Sequence, residues 1–310
     1  MTIRVLKPGL STTVQDGGRY GYAHLGISPC GAADTVSFRI ANLLAGNDEY
    51  APALEMTLLG ATLEFERNTM VAISGATCDC KVGQYRFPIN TRVEAPAGAV
   101  LQCGSMADGA RAYLAVRGGI EVPLVMGSAS TDLRGGFGGI DGRRLRAGDV
   151  ILLGKGTRSS PKHLRTGAID GLPRSGPIRV TRGAQKDWFS NEENEKFLAT
   201  SFTVSEQSDR AGLRLKGGPI QPLEQKQLLT DGIPLGAVQV PQDGQPIILF
   251  VDQQTTGGYP KIANVIAAAM HRVGQLRPRD EVRFAEVSMA EAFEARRAQE
   301  RWLKHIWQDS

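Results

Sequence analysis

Across 310 residues the chain is 41% apolar and 22% charged, with 36 basic and 32 acidic side chains leaving +4. That balance excludes a disordered chain, no dense basic run marks a nucleic-acid binder, and no apolar run approaches the roughly 20 residues of a membrane span. The 37 glycines exceed the usual share of about 7% and follow no collagen-type period, so they mark tight turns in a β-rich protein.

In chain order, Ala61 to Phe65, Met70 to Ser74, Ala99 to Cys103, Arg111 to Val116 and Val150 to Leu153 read as strands. Ile178 to Arg182, Phe202 to Ser205, Ile247 to Val251 and Glu281 to Val287 follow; all are apolar or alternating runs bounded by Gly, Pro or Asp. Three helices interrupt them. Asp34 caps a helix over Thr35 to Ala45, stopped by Gly46-Asn47. A second is predicted over Lys261 to Val273, with Ile262, Val265, Ile266 and Ala269 at helical spacing. A third starts at the capping box Ser288-Met289-Ala290-Glu291 and runs to Trp307, with Met289, Phe293, Trp302, Leu303 and Ile306 on its apolar stripe.

Residues 156–176 are rich in Gly, Ser, Pro and basic side chains and lack periodicity, which predicts a linker between a first half, 1–155, and a second, 177–310. The halves echo each other: Leu145-Arg146-Ala147-Gly148-Asp149 resembles Leu276-Arg277-Pro278-Arg279-Asp280. A weak internal duplication of this kind points to two similar β-barrels rather than one α/β sheet. The start, Met1 to Gly9, has no signal-peptide core, and the four cysteines, Cys30, Cys78, Cys80 and Cys103, suit a reducing compartment. A cytoplasmic protein is the expectation. Cys78 and Cys80 have no second pair or nearby histidine to complete a metal set, so no metal site is expected.

There is no P-loop, no Gly-x-Ser-x-Gly elbow and no grouping of the four histidines. Three polar blocks remain. The first runs from Thr12 to Arg19 and on through Gly26 to Asp34. It sets Asp16 and Arg19 among glycine turns, where an arginine suits a carboxylate or phosphate oxygen, although Asp16 reads equally as a turn residue. The second, Ser208 to Leu215, contains Arg210, for which a surface pair with Asp209 is the plain alternative. The third holds Gln239 and then Asp252, Gln253, Gln254, Thr255, Thr256, Gly257, Gly258, Tyr259, Pro260 and Lys261 after a core strand. So many hydrogen-bonding groups there need partners or a ligand. If a helix opens at Lys261, its N–H groups add an anion site.

Together these blocks resemble the biotin-dependent carboxyltransferase, or allophanate hydrolase subunit 2, family, found also inside urea carboxylase. Ala41-Asn42, Leu54-Glu55, Tyr113 to Gly119, Gly127 to Asp132 and Gly138 to Arg143 extend the resemblance, which spans about residues 3 to 300. Within the family the chain most resembles the group formed by the C subunits of bacterial 5-oxoprolinases. The resemblance implies a mainly β fold of two cyclophilin-like β-barrel subdomains with a few helices. It also implies partners, the B and A subunits of 5-oxoprolinase, and ATP with Mg²⁺ shared with a partner in the conversion of 5-oxo-L-proline to L-glutamate. Arg19, Arg210 and Lys261 would then meet anionic oxygens. Asp252 would act as general base or Mg²⁺ ligand, and Asp16, Gln239, Thr255, Thr256 and Tyr259 would help to hold substrate.

Three departures from the family pattern stand out: Ala269 for Asp, Arg279 for the Gly of a Pro-Gly-Asp turn, and Ala211 with Leu213 for Met and an aromatic residue. One rival is a carboxyltransferase moving CO₂ from carboxybiotin to urea or another amide. The chain has no Met-Lys-Met biotinylation site, so no covalent biotin is expected on it. The other rival is a regulatory binder that sequesters a partner such as a kinase inhibitor. A small anionic substrate is expected, and neither nucleic acid nor membrane.

Overall fold

Short β-branched and apolar runs separated by glycine turns pair almost wholly antiparallel, one pairing among the described residues excepted. The computed structural model describes residues 2–155, 160–172, 174–223 and 228–308. The chain is mainly β and forms two units. Unit 1 comprises Met1–Arg19, Cys30–Asp170 and Leu303–Ser310; unit 2 comprises Tyr20–Pro29 and Gly171–Trp302. Residues 156–159 and 173 of the expected linker lie outside the described residues. Its described part is ordered locally: Leu164 bridges Trp307, and Ala168–Gly171 forms a 3₁₀ turn.

Unit 1 holds a seven-stranded and a five-stranded sheet. The strand Arg111–Val116 lies inside the five-stranded sheet, paired with Ala53–Thr57 on one side and Thr69–Gly75 on the other. Paired on both edges and buried along its length, it reads as a continuous apolar run. Ile3, Leu54, Leu63, Phe65, Ile73 and Leu114 form the core. Helix α1, Thr35–Ala45, begins as the sequence indicates: Asp34 Oδ1 accepts from the N–H groups of Val36 and Ser37, both at 3.0 Å. It ends at Gly46, whose φ of 79° is open to glycine. Cys78 and Cys80 sit in a strand with their sulfurs 3.2 Å apart, both buried. Their mutual hydrogen bond and burial push the Cys78 thiol far above the ordinary range.

Unit 2 is built on an eight-stranded sheet. The predicted helix over Lys261 to Val273 is corrected. Lys261–Val265 is a strand, Ala267–Ala269 a 3₁₀ turn, and only Met270–Val273 is helical. The strand is paired on both edges, Val238 with Ala263 on one side and Val180 with Val265 on the other, and two ladders outweigh a helical spacing that also fits strand-then-helix. An unforeseen helix α2, Asn191–Ala199, is capped by Ser190 and buries Phe197, which stacks on Phe284 at 4.6 Å between centroids. The four-residue Met270–Val273 is α3, and Met289–His305 is α4. The capping box closes: Ser288 N–H donates to Glu291 Oε2 at 2.8 Å and Glu291 N–H to Ser288 Oγ at 3.2 Å. The expected stripe is buried only at Leu303 and Ile306; Met289 and Phe293 are exposed.

The two echoing turns use one hydrogen-bond scheme. Asp149 Oδ2 accepts from Arg146 N–H at 2.7 Å, and Asp280 Oδ2 from Arg277 N–H at 2.8 Å. Gly148 N–H donates to the Val5 carbonyl and Arg279 N–H to that of Val204, each at 2.8 Å. Both positions have positive φ, 91° at Gly148 and 76° at Arg279, so the arginine occupies a backbone region that favours glycine.

Candidate functional site

In unit 1, the strand Ser11–Gln15 delivers Asp16 and Arg19 to the turns that follow. Asp16 is saturated. Its Oδ1 accepts from Gly18 N–H at 2.8 Å, Ser128 Oγ at 2.6 Å and Ser130 Oγ at 2.5 Å, and its Oδ2 from Ala129 N–H at 2.6 Å. A carboxylate holding four donors pins two loops together. Arg19 is 2% exposed. Its Nη2 donates to the Ser130 carbonyl, and its guanidinium lies 4.9 Å over the Phe137 ring. Nη1 is buried with no hydrogen-bond partner, an unmet donor that is costly in a buried site. Nearby, Glu55 Oε2 accepts from Tyr113 OH at 2.8 Å and from Ala33 N–H at 2.9 Å, which fixes the approach to α1. Burial, and then the Glu55 charge, push the Tyr113 phenol well above its ordinary value.

In unit 2, the strand Ile247–Leu249 runs beside Gly212–Lys216, and the pairing continues past both. Phe250 N–H donates to Ala211 O at 3.0 Å and Asp252 N–H to Arg210 O at 2.9 Å. This brings the two side chains together as a buried fork: Arg210 Nε to Asp252 Oδ2 at 2.8 Å and Nη2 to Oδ1 at 2.9 Å. A surface pair of Arg210 with Asp209 is therefore not what forms; Asp209 instead caps its own turn at Ala211 and Gly212.

Asp231–Gly232 and Thr256–Gly257, distant in sequence, pair as a small antiparallel two-stranded sheet. Lys261, 3% exposed, donates from Nζ to Asp231 Oδ2 at 2.8 Å. That hydrogen bond lowers the Asp231 carboxyl below the usual aspartate range. A bulge in the pairing sets Gln239 opposite Lys261, and Gln239 Nε2 reaches the Tyr259 carbonyl at 3.4 Å. Gln253 donates from Nε2 to Ile233 O at 2.9 Å, while its Oε1 is buried without a partner. At Gly257 a Cβ would come within 2.8 Å of Ile233 Cδ1, a side-chain end that would have to shift to admit it. Tyr259, Pro260, Val240 and Thr230 line a cavity of about 620 Å³.

The carboxyltransferase domain, subdomain A and B, family profile matches residues 25–286. The chain belongs to that family. It is 41% identical over 304 residues to the C subunit of the Escherichia coli strain K12 5-oxoprolinase, covering 98% of this chain and 97% of that protein. It is 33% identical over 333 residues to the urea amidolyase of Saccharomyces cerevisiae, covering 98% of this chain but 18% of that one. The crystal structure of Kluyveromyces lactis urea carboxylase superposes with a TM-score of 0.93 at 33% identity, covering 98% of this chain and 29% of that one. The mainly β architecture expected for the family, with a nearly closed barrel sheet, is the one found.

Within this carboxyltransferase frame the expected site residues fall into distinct groups. Asp16 and Arg19 lie in unit 1; Arg210, Gln239, Asp252, Thr255, Thr256, Tyr259 and Lys261 lie in unit 2. Thr256 and Tyr259 are exposed and Thr255 half-buried. Gln239, Lys261, Arg210 and Asp252 are buried. The anion site expected from a helix opening at Lys261 does not form, because a strand begins there. Asp231, the partner of Lys261, was not foreseen. Its only signal in the sequence is an Asp-Gly turn dipeptide. Among the described residues no group of three or more His, Cys, Asp or Glu side chains is placed to hold a metal, and Asp252 spends both oxygens on Arg210. These side chains do not by themselves form a Mg²⁺ site.

Proposed function

We propose that this chain is the C subunit of an ATP-dependent 5-oxoprolinase, acting with the B and A subunits to convert 5-oxo-L-proline to L-glutamate. The observation that carries the reading is the match to proteins named as the C subunit of 5-oxoprolinase over 97% of their length, against 18% of the urea amidolyase. The lactam of 5-oxoproline resists hydrolysis through amide resonance. Phosphorylation of the lactam oxygen by ATP, with release of ADP, makes the lactam carbon electrophilic; water adds there, the ring C–N bond breaks to leave an acyl phosphate, and a second water releases phosphate and glutamate. Nucleotide and Mg²⁺ are shared with a partner in the complex.

The chain's own contribution is positioning and charge. Lys261 is a buried ammonium whose partner, Asp231, is half exposed, so an anionic substrate oxygen can take the place of that carboxylate. Tyr259 lines the adjoining cavity, and Thr255 and Thr256 offer hydroxyls at the turn. Gln239 holds the Tyr259 main chain. The Arg210–Asp252 fork fixes the turn from which these groups project, with Asp252 setting the orientation and charge of Arg210. In unit 1, Arg19 offers its unmet Nη1 and Asp16 holds the loops around it.

The TM-score of 0.93 to urea carboxylase supports a second reading, carboxyl transfer from carboxybiotin to urea or another amide. Growth of a deletion strain separates them. Loss of growth on 5-oxoproline as sole nitrogen source, with growth on urea retained, is the expected result; the reverse pattern overturns the proposal.

A further inference from the structure

Unit 2 contains a second cavity, of about 430 Å³, distinct from the one beside Tyr259. Leu172, Pro177 and Arg179 contribute one side, the segment 268–272 another, and α4 the third. Two arginines line it, Arg179 on the strand Ile178–Arg182 and Arg272 in α3. Arg272 donates from Nη1 to Pro177 O at 2.8 Å and from Nη2 to Gly176 O, while its Nε is buried without a hydrogen-bond partner. Among the described residues neither guanidinium has an acidic partner. The contrast within unit 2 is direct. Arg182 pairs with Glu286 at 2.8 Å, Arg279 with Glu206 at 2.6 Å and Arg296 with Glu300 at 2.9 Å. Burial, and next the charge of Arg179, push Arg272 below the usual arginine value. Two like charges left together in a partly dry cavity lose free energy that an anion restores.

The rest of the wall mixes apolar groups, among them Ala269, Ala298 and the Trp302 side chain, with the polar Ser175, His271 and Gln299. Gln299 Nε2 lies 3.0 Å from Ala268 O and 3.1 Å from His271 Nδ1. Ligand pockets commonly combine a mostly apolar wall with a few convergent polar groups in about 300–1,000 Å³.

We propose that this cavity binds a small organic anion, its carboxylate or phosphate between Arg179 and Arg272 and its flat apolar part against Trp302. The proposal stands apart from the 5-oxoprolinase reading, because none of these residues belongs to the Tyr259 turn.

The test is calorimetric titration of the full chain with phenyl phosphate, benzoate, inorganic phosphate and benzyl alcohol. The expected result is saturable binding of phenyl phosphate, weaker binding of inorganic phosphate and none of the neutral alcohol. Arg179→Gln should weaken phenyl phosphate by about ten- to a hundredfold, the usual range for a hydrogen bond to a charged group. Arg179→Lys, which keeps the charge, should retain part of the affinity, and Arg182→Gln should behave as the parent. Melting curves of each variant confirm folding. Absence of saturable binding, equal affinity in Arg179→Gln, or inorganic phosphate as tight as phenyl phosphate would overturn the proposal.

Discussion

Replacing Asp252 with Asn removes one charge from a pair whose members are 2% and 8% exposed. Arg210 is held by two bonds, at 2.8 and 2.9 Å. Asn keeps one acceptor oxygen and leaves the guanidinium buried without its counter-charge. Breaking a buried pair this way costs about 3–5 kcal/mol, and the retained bond places Asp252→Asn near the lower end. At about 2–4 °C per kcal/mol, 3 kcal/mol lowers the melting temperature by about 6–12 °C. Removing both charges, with Arg210→Met and Asp252→Leu together, leaves a hydrophobic pair of similar volume. Such exchanges are often near neutral, so the double variant is expected within about 2 kcal/mol of the parent. Differential scanning calorimetry of the parent, Asp252→Asn, Arg210→Met, Asp252→Leu and the double variant completes the cycle. A parental melting curve for Asp252→Asn would refute the claim that the fork holds the turn. A double variant as unstable as the single would show that uncompensated charge is not the cause.

Lys261→Met keeps the aliphatic stem in its buried slot and frees Asp231; the assembled complex should lose about ten- to a hundredfold in turnover while the melting curve shifts little, and unchanged turnover would place the substrate anion elsewhere. Arg279→Gly should raise stability by about 0.5–1 kcal/mol, because glycine accepts the positive φ at less cost than arginine, and denaturant titration reads the gain; a loss would mean that the exposed contact with Glu206 outweighs the backbone term. Asp149 is held below the usual aspartate range chiefly by its hydrogen bonds from Arg143. Its stabilising contribution is therefore complete above the ordinary aspartate value and fades as pH falls through the lowered one. Asp149→Asn should flatten that acid limb of the stability–pH curve, and an unchanged slope would count against the pair.

Local chemistry made much of the fold legible. The helix Thr35–Ala45 is announced by an Asp cap and a Gly stop, and Arg111–Val116 by an unbroken apolar run, because each signal lies within a few residues of the structure it produces. The stretch after Pro260 is different. Ile262, Val265, Ile266 and Ala269 fit a helix, and they fit equally a strand followed by a 3₁₀ turn and a short helix. The choice is made by the neighbouring strands Ile178–Arg182 and Ala237–Gln239, which no local pattern reveals. Helix α2 escaped because its sequence, Asn-Glu-Glu-Asn-Glu-Lys-Phe-Leu-Ala, buries one aromatic ring rather than a stripe.

The candidate site divides the same way. The residue types around Asp252 to Lys261 were visible as a cluster of polar groups after a core strand. Their partners were not: Arg210 is joined to Asp252, and Asp231 to Lys261, by sheet register across long stretches of chain. The membership of Tyr20–Pro29 in unit 2 likewise depends on contacts such as Ser28 Oγ donating to Gln253 O, which composition does not encode.

The central claim, that this chain serves a 5-oxoprolinase, is tested most directly by reconstitution. The chain is combined with purified B and A subunits, ATP, Mg²⁺ and 5-oxo-L-proline, and glutamate is measured with each component omitted in turn. The account predicts glutamate formation that requires this chain, both partners and ATP. Glutamate formed at an undiminished rate without this chain, or a complex inert toward 5-oxoproline that carboxylates urea from carboxybiotin, would contradict it.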